Sequence, residues 1–269
     1  MPTVKVGDVN LYYETHGRGD PLLMIPGFAM GSTASYFRQI PGLAEHYRVI
    51  ALDNRGGGLS DKPDIRYSME TMADDASAVL DALDVHRAHI FGFSMGGMIA
   101  QHLALRHPKV ATSLILAATS CGGKHSTPPD AEYAASIFNT EGTVEERIRR
   151  RLHFLFTQEF MAGKPNVVEN FLSLYVRYAP PFHTYIRHLE ASIMHDAYDR
   201  LPELNLPTLV IVGSEDKAQP PENSEILASR IPKAELVVMN GQRHYMSIEC
   251  PDRLNTLILD FLKRHPIVA

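Results

Sequence analysis

The stretch Ile90-Phe91-Gly92-Phe93-Ser94-Met95-Gly96-Gly97-Met98-Ile99 carries the decisive pattern in this chain of 269 residues. The apolar run 88–93 reads as a buried strand. After it, Met98, Ile99, Leu103 and Leu105 open a helix that runs to about His107. Between the two stands Gly92-Phe93-Ser94-Met95-Gly96, a G-x-S-x-G match. A serine on so sharp a strand-to-helix turn is lifted above the sheet edge with its Oγ within reach. The strained backbone there needs small neighbours, as at Gly92 and Gly96. Ser94 is therefore the candidate nucleophile. The first N–H of the helix, that of Met95, points to where an oxyanion would form. The five-residue pattern is weak by itself; its position between a β-rich run and a helix makes it specific.

Upstream, 4–6 and 11–14 alternate around Gly7-Asp8 and predict an antiparallel hairpin. The apolar run 21–25 predicts a buried strand that stops at Pro26-Gly27-Phe28. Spacing of Phe37, Ile40 and Leu43 predicts a helix over 35–43. A strand over 47–52 runs into the glycine-rich loop 53–60. A helical stripe occupies 68–83, with Ser68 as N-cap. Downstream, 114–118 predicts another buried strand. Nearly all-apolar strands alternating with helices argue for an α/β fold. Its central sheet would be mostly parallel, of about eight strands, with helices on both faces. The alternation stops over 122–197, where helical stretches at 131–138, 143–156, 165–178 and 181–195 dominate. This predicts a helical cap inserted between two strands, with 1–121 and 198–269 forming the core domain. The pattern resumes with strands at 206–212 and 235–239 and helices at 221–231 and 251–263.

Composition excludes some partners. A net charge of −5 leaves no basic surplus for a phosphate backbone, which argues against nucleic acid. No apolar run approaches the ~18 residues that span a membrane. The first residues lack the apolar core of a signal peptide, so a cytoplasmic location is expected. Cys121 and Cys250, far apart in sequence, read as free thiols. The oligomeric state is left open.

A serine hydroxyl needs a base beside it, commonly a histidine whose other nitrogen is held by a carboxylate. In a parallel sheet such groups gather on loops that follow strands. After 208–212 come Glu215 and Asp216; after 235–239 comes His244, ahead of the final helix. The order serine, acid, histidine is the one expected on this type of sheet. Asp216 is preferred to Glu215 because Gly213-x-x-Asp216 suits a loop turning back toward its neighbour. A carboxylate elsewhere stays open, although Thr119-Ser120-Cys121 supplies none. Of the 13 histidines, His102 and His107 read as structural, and His183, His188 and His195 lack a second ligand cluster for a metal. The N–H of Phe28 is the candidate second oxyanion donor, with Gly27 letting the backbone approach the substrate. This chemistry needs neither cofactor nor metal.

Pro26-Gly27-Phe28, the loop 53–60, Gly92-Phe93-Ser94-Met95-Gly96, Gly213-x-x-Asp216 and His244, in this order, resemble the α/β-hydrolase fold superfamily. Within it the chain is similar to small bacterial esterases, enol-lactonases and haloperoxidase-like enzymes. The resemblance spans essentially the whole chain. It implies Ser94 as nucleophile, Asp216 as acid, His244 as base, Phe28 and Met95 as oxyanion donors, and 122–197 as a cap over the site. The family often has His-Gly at the place of Pro26-Gly27, and Arg-Gly-His-Gly at the place of Arg55-Gly56-Gly57-Gly58; neither changed position is a triad member. Serine at the nucleophile position argues against dehalogenase and epoxide-hydrolase chemistry. Tyr245 after His244, where hydroxynitrile lyases tend to keep a lysine, argues against that activity.

The expected activity is hydrolysis of small or medium, largely apolar carboxylic esters or lactones. An enol-lactonase or a C–C bond hydrolase of aromatic degradation is the alternative. Such substrates carry carboxylates, so a buried arginine in the cap cavity would favour it. A perhydrolase side activity uses the same acyl-enzyme. A hydrolase-like ligand receptor with vestigial catalysis is the reading from another class. Most apolar side chains of 122–197 are expected to pack the cap onto the body, with a few lining the pocket. Arg147, Arg149, Arg150 and Arg151 are expected to form a solvated helix face.

Overall fold

The apolar runs do become strands. In the computed structural model, which describes residues 2–267, they assemble into one eight-stranded sheet. The strands are β1 (Thr3–Val6), β2 (Val9–His16), β3 (Pro21–Ile25), β4 (Arg48–Leu52), β5 (Ala88–Phe93), β6 (Ala111–Ala117), β7 (Thr208–Gly213) and β8 (Ala234–Met239). Their order is β1-β2-β4-β3-β5-β6-β7-β8. The β1–β2 hairpin turns at Gly7, with Val6 opposite Val9, and β2 lies antiparallel to β4. Every pairing from β4 through β8 is parallel. Side chains of one strand alternate between two cores, as the pleat requires. Leu23, Ile25, Ile90 and Leu114 enter one; Leu22, Met24, Phe91 and Ile115 enter the other.

The helices are α1 (Ser32–Tyr36), α2 (Ile40–Leu43), α3 (Met69–Ala82), α4 (Met95–Arg106), α5 (Ala131–Phe138), α6 (Val144–Arg149), α7 (Leu152–Leu155), α8 (Gln158–Gly163), α9 (Pro165–Arg177), α10 (Phe182–Ile193), α11 (Pro221–Arg230), α12 (Met246–Glu249) and α13 (Pro251–Arg264). Helices α3, α4 and α11 cover the first core; α1 and α13 cover the second. Ser68 caps α3 by accepting the Thr71 N–H at 3.1 Å.

Two expected helices are broken. The stretch 35–43 divides into α1 and α2, because Pro41 lacks an N–H and is tolerated only in a first turn, here that of α2. The stretch 143–156 divides into α6 and α7 at Arg150 and Arg151. Helices α8 and α12 and the 3₁₀ turns Gly123–His125 and Tyr198–Glu203 have no counterpart in the sequence reading, and β6 begins at Ala111 rather than Leu114.

The segment between β6 and β7 begins and ends at one place. Gly122 and Asp196 form an antiparallel bridge. Beside it, Ala197 N donates to Cys121 O at 2.8 Å and Gly123 N to His195 O at 2.9 Å. Phe156, Phe171 and Leu172 of this segment join the second core. Both cysteines are free thiols. Among the described residues no helix is long and apolar enough to cross a membrane.

Candidate active site

Strand β5 ends at Phe93 and α4 starts at Met95, so Ser94 alone makes the turn. Its backbone sits at φ 55°, ψ −122°, outside the regions comfortable for a residue with a Cβ. The neighbouring strand holds that strain. Ser94 N donates to Ala117 O at 2.9 Å, and Thr119 Oγ1 donates to Ser94 O at 2.7 Å. Both flanking glycines are sterically required. A Cβ on Gly92 would lie 2.3 Å from Gly96 O, and one on Gly96 would lie 2.0 Å from Ile25 O. The N–H of Met95, the first of α4, has no acceptor within the helix, whereas Gly97 N donates to Ser94 O at 2.8 Å.

The sequence-distant acid and base come together. His244 Nδ1 and Asp216 Oδ2 are 2.8 Å apart, with both side chains buried. The other carboxylate oxygen of Asp216 accepts the N–H groups of Ala218 and Gln219 at 2.9 and 2.8 Å. Glu215 instead faces outward, 3.6 Å from Arg243 Nε. The two loops touch directly: Glu215 N donates to Gln242 O at 2.9 Å, and a Cβ on Gly213 would lie 2.3 Å from that same carbonyl oxygen.

Ser94, His244, Gly27 and Phe28 line one small inner cavity of about 30 Å³, together with Tyr133, Tyr175, Tyr245 and Arg151. Ser94 also lines a wider, mostly apolar cleft of about 340 Å³, formed with Met95, Met98, Pro128, Phe138, Leu189 and Ile193. Phe28, Tyr133 and Ile137 border both spaces. The serine thus stands where a narrow space holding Arg151 and His244 among apolar and aromatic side chains meets a broad apolar one. Burial pushes the hydroxyl pKa values of Tyr133, Tyr175 and Tyr245 upward, so these phenols stay protonated and can only be neutral partners.

The arginine run departs from expectation. Arg149 is exposed and pairs with Glu145 and Glu169, and Arg150 reaches Glu141 O. Arg151, however, is only 4 % exposed. The break between α6 and α7 takes it off the solvated face. Its guanidinium donates to Ser136 O, at 3.3 Å from Nε and 3.0 Å from Nη2, and to Tyr185 Oη at 3.1 Å. Among the described residues it has no carboxylate partner. A buried cation without an anion is costly, and it lines the same cavity as Ser94.

The histidines of the helical segment do not converge. His183 meets Lys62 O, His188 meets Arg55 O, and His195 meets His102. Among the described residues no three metal-ligating side chains cluster. Arg55 forms a buried two-point ion pair with Asp75, and Asp53 accepts the Ser32 and Leu59 N–H groups; both shape the loop and lie outside the cavity lining.

Residues 20–251 match the family model described as alpha/beta hydrolase fold. A protein of Azorhizobium caulinodans named "Putative carbamate hydrolase RutD" is 32 % identical, over 97 % of this chain and 98 % of its own length. The 2-hydroxymuconate semialdehyde hydrolase of Pseudomonas sp. (strain CF600) is also 32 % identical, over 91 % of this chain and 88 % of its own. Among solved structures, Est816, described as an N-acyl homoserine lactone degrading enzyme, superposes with a TM-score of 0.85 at 32 % identity, covering 97 % of this chain and 100 % of that one.

Proposed function

The chain belongs to the alpha/beta hydrolase fold family as a serine hydrolase, and on that basis we propose that it cleaves carboxylic esters or lactones through an acyl-enzyme on Ser94. One observation carries the reading: a buried Asp216–His244 pair opens into the same cavity as a serine held on a strained turn. Asp216 fixes His244 with its Nδ1 protonated, leaving Nε2 free to take the Ser94 proton. Ser94 Oγ attacks the carbonyl carbon, and the N–H groups of Phe28 and Met95 receive the oxyanion. Each such donor is worth roughly 3 kcal/mol at the transition state. His244 then protonates the leaving oxygen, and later activates the water that frees the acid. No step draws on a metal or an organic cofactor. We further propose that 122–197 acts as the cap, since Tyr133, Ile148, Arg151, Leu155 and Tyr175 wall the inner cavity.

The apolar cleft favours substrates with a small to medium hydrocarbon arm. A second reading has its own support. Buried Arg151 without a carboxylate partner suits a substrate that carries one, as in enol-lactones or the vinylogous diketones cleaved by C–C hydrolases. The similarity to a 2-hydroxymuconate semialdehyde hydrolase points the same way.

The test is steady-state hydrolysis of p-nitrophenyl esters from acetate to decanoate, with p-nitrophenyl hemisuccinate as the carboxylate-bearing member. Wild type is expected to turn over, and Ser94→Ala to fall to background. Full activity in Ser94→Ala would falsify the assignment. A preference for the hemisuccinate that disappears in Arg151→Gln would favour the second reading.

A further inference from the structure

Behind Arg151 lies another cavity, lined by Val144, Arg147, Ala179, Pro180, Phe182 and Tyr185. It shares Ile148, Arg151 and Tyr175 with the inner cavity at Ser94. A single layer of side chains therefore separates the two spaces. The outer members of the second lining are only partly covered, and Phe182 is 54 % exposed, so this cavity reaches solvent through residues that the apolar cleft does not share. Arg147, half-buried and four residues before Arg151, belongs to this lining. Its hydrogen bond goes to the Thr140 carbonyl, and among the described residues it too has no carboxylate partner.

We propose that these two arginines line a second opening through which the carboxylate product leaves, passing from Arg151 to Arg147. The inference rests on the acyl-enzyme reading. Deacylation adds water across the Ser94 Oγ–acyl bond, returns a proton to Ser94 and forms a carboxylic acid, which ionises at neutral pH. A new anion then sits in a space that holds little more than one water. The wide cleft is apolar and offers it no cation. The arginine or lysine that lines this space is Arg151, and neutral acceptors alone hold it in place. A two-point bond between guanidinium and carboxylate, charged on both sides, is stronger than its present bonds to neutral oxygens, so an arriving carboxylate displaces them. Moving the Arg151 side chain removes part of the shared wall, and Arg147 is the next cation outward.

The chain contains no tryptophan, so Phe182→Trp supplies a single reporter at the mouth. Titration with sodium butyrate at constant ionic strength is expected to change its emission saturably. Adding Arg147→Gln should weaken the midpoint at least fivefold. Identical, non-saturating responses with and without Arg147 would overturn the anion site. A second arm asks about release. With p-nitrophenyl butyrate, Ala179→Trp narrows the passage and is expected to leave the pre-steady-state burst intact while lowering the steady rate at least threefold. An intact burst with an unchanged steady rate would overturn the exit. Absence of a wild-type burst, together with failure of a phosphonate to label Ser94, would refute the acyl-enzyme reading itself, and butyrate binding in the first arm would still judge the anion site.

Discussion

Asp216 shows how much one atom can decide. Its Oδ1 holds two backbone N–H groups and its Oδ2 holds His244. In Asp216→Asn the amide oxygen can keep the backbone bonds, but the amide nitrogen then donates toward Nδ1. The ring is forced into the tautomer with Nε2 protonated, which cannot accept the serine proton. The expected outcome is a kcat about 10⁴-fold lower with the fold retained, measured by ester hydrolysis beside circular dichroism. A loss under tenfold would sink the role given to this carboxylate. The Gly213-x-x-Asp216 spacing favours Asp216 over Glu215, and Asp216 is the one of the two that lies beside His244. Arg151 was not legible. In a run of four arginines among acids, helical spacing assigns all of them to a solvated face, and only the break at Arg150 sends Arg151 inward. Nothing in the residue types announces that break.

At the scale of elements, the helical segment is tied unevenly to the body. Around His244 the ties are dense. Tyr245 N donates to Leu155 O at 3.0 Å. Arg243 Nη1 reaches the carbonyls of His153 and Phe156. Glu249 accepts the N–H and hydroxyl of Thr157. Helices α7 and α8 therefore cannot swing without dragging the histidine loop. By contrast, α5 is only partly covered, and Phe138 is 62 % exposed. Arg243→Ala is expected to cost about 1–3 kcal/mol of stability and to lower kcat severalfold, read from urea unfolding and ester turnover. Phe138→Ala is expected to raise KM for long-chain esters and leave unfolding unchanged. The reverse pattern would contradict this uneven tethering. Most elements were readable because their apolar period is unambiguous. The boundaries that failed lie at Pro41 and at the arginine run, where a single residue's backbone geometry outweighs the pattern.

For the molecule as a whole, buried histidines set an acid limit. Burial lowers His89 and His188 to about 4 and His195 to about 3. An unfolded histidine titrates near 6.5, so between these values the unfolded chain binds more protons. Stability is then fully present above pH 6.5 and is lost as pH falls through the folded values. Urea midpoints should decline from pH 7 to pH 4. His188→Gln can keep the bond to the Arg55 carbonyl and should flatten the decline; equal slopes in the two proteins would contradict it. The sheet itself was the most legible feature, since strands buried on both faces have to be continuously apolar. The way the segment after β6 is mounted could not be read, because the Gly122–Asp196 bridge involves backbone atoms alone. That bridge has a historical consequence. A stretch whose two ends meet side by side can be exchanged for another at two junctions, without re-laying any strand. Relatives could thus trade whole substrate chambers as a single continuous piece of gene while inheriting the reactive rim unchanged.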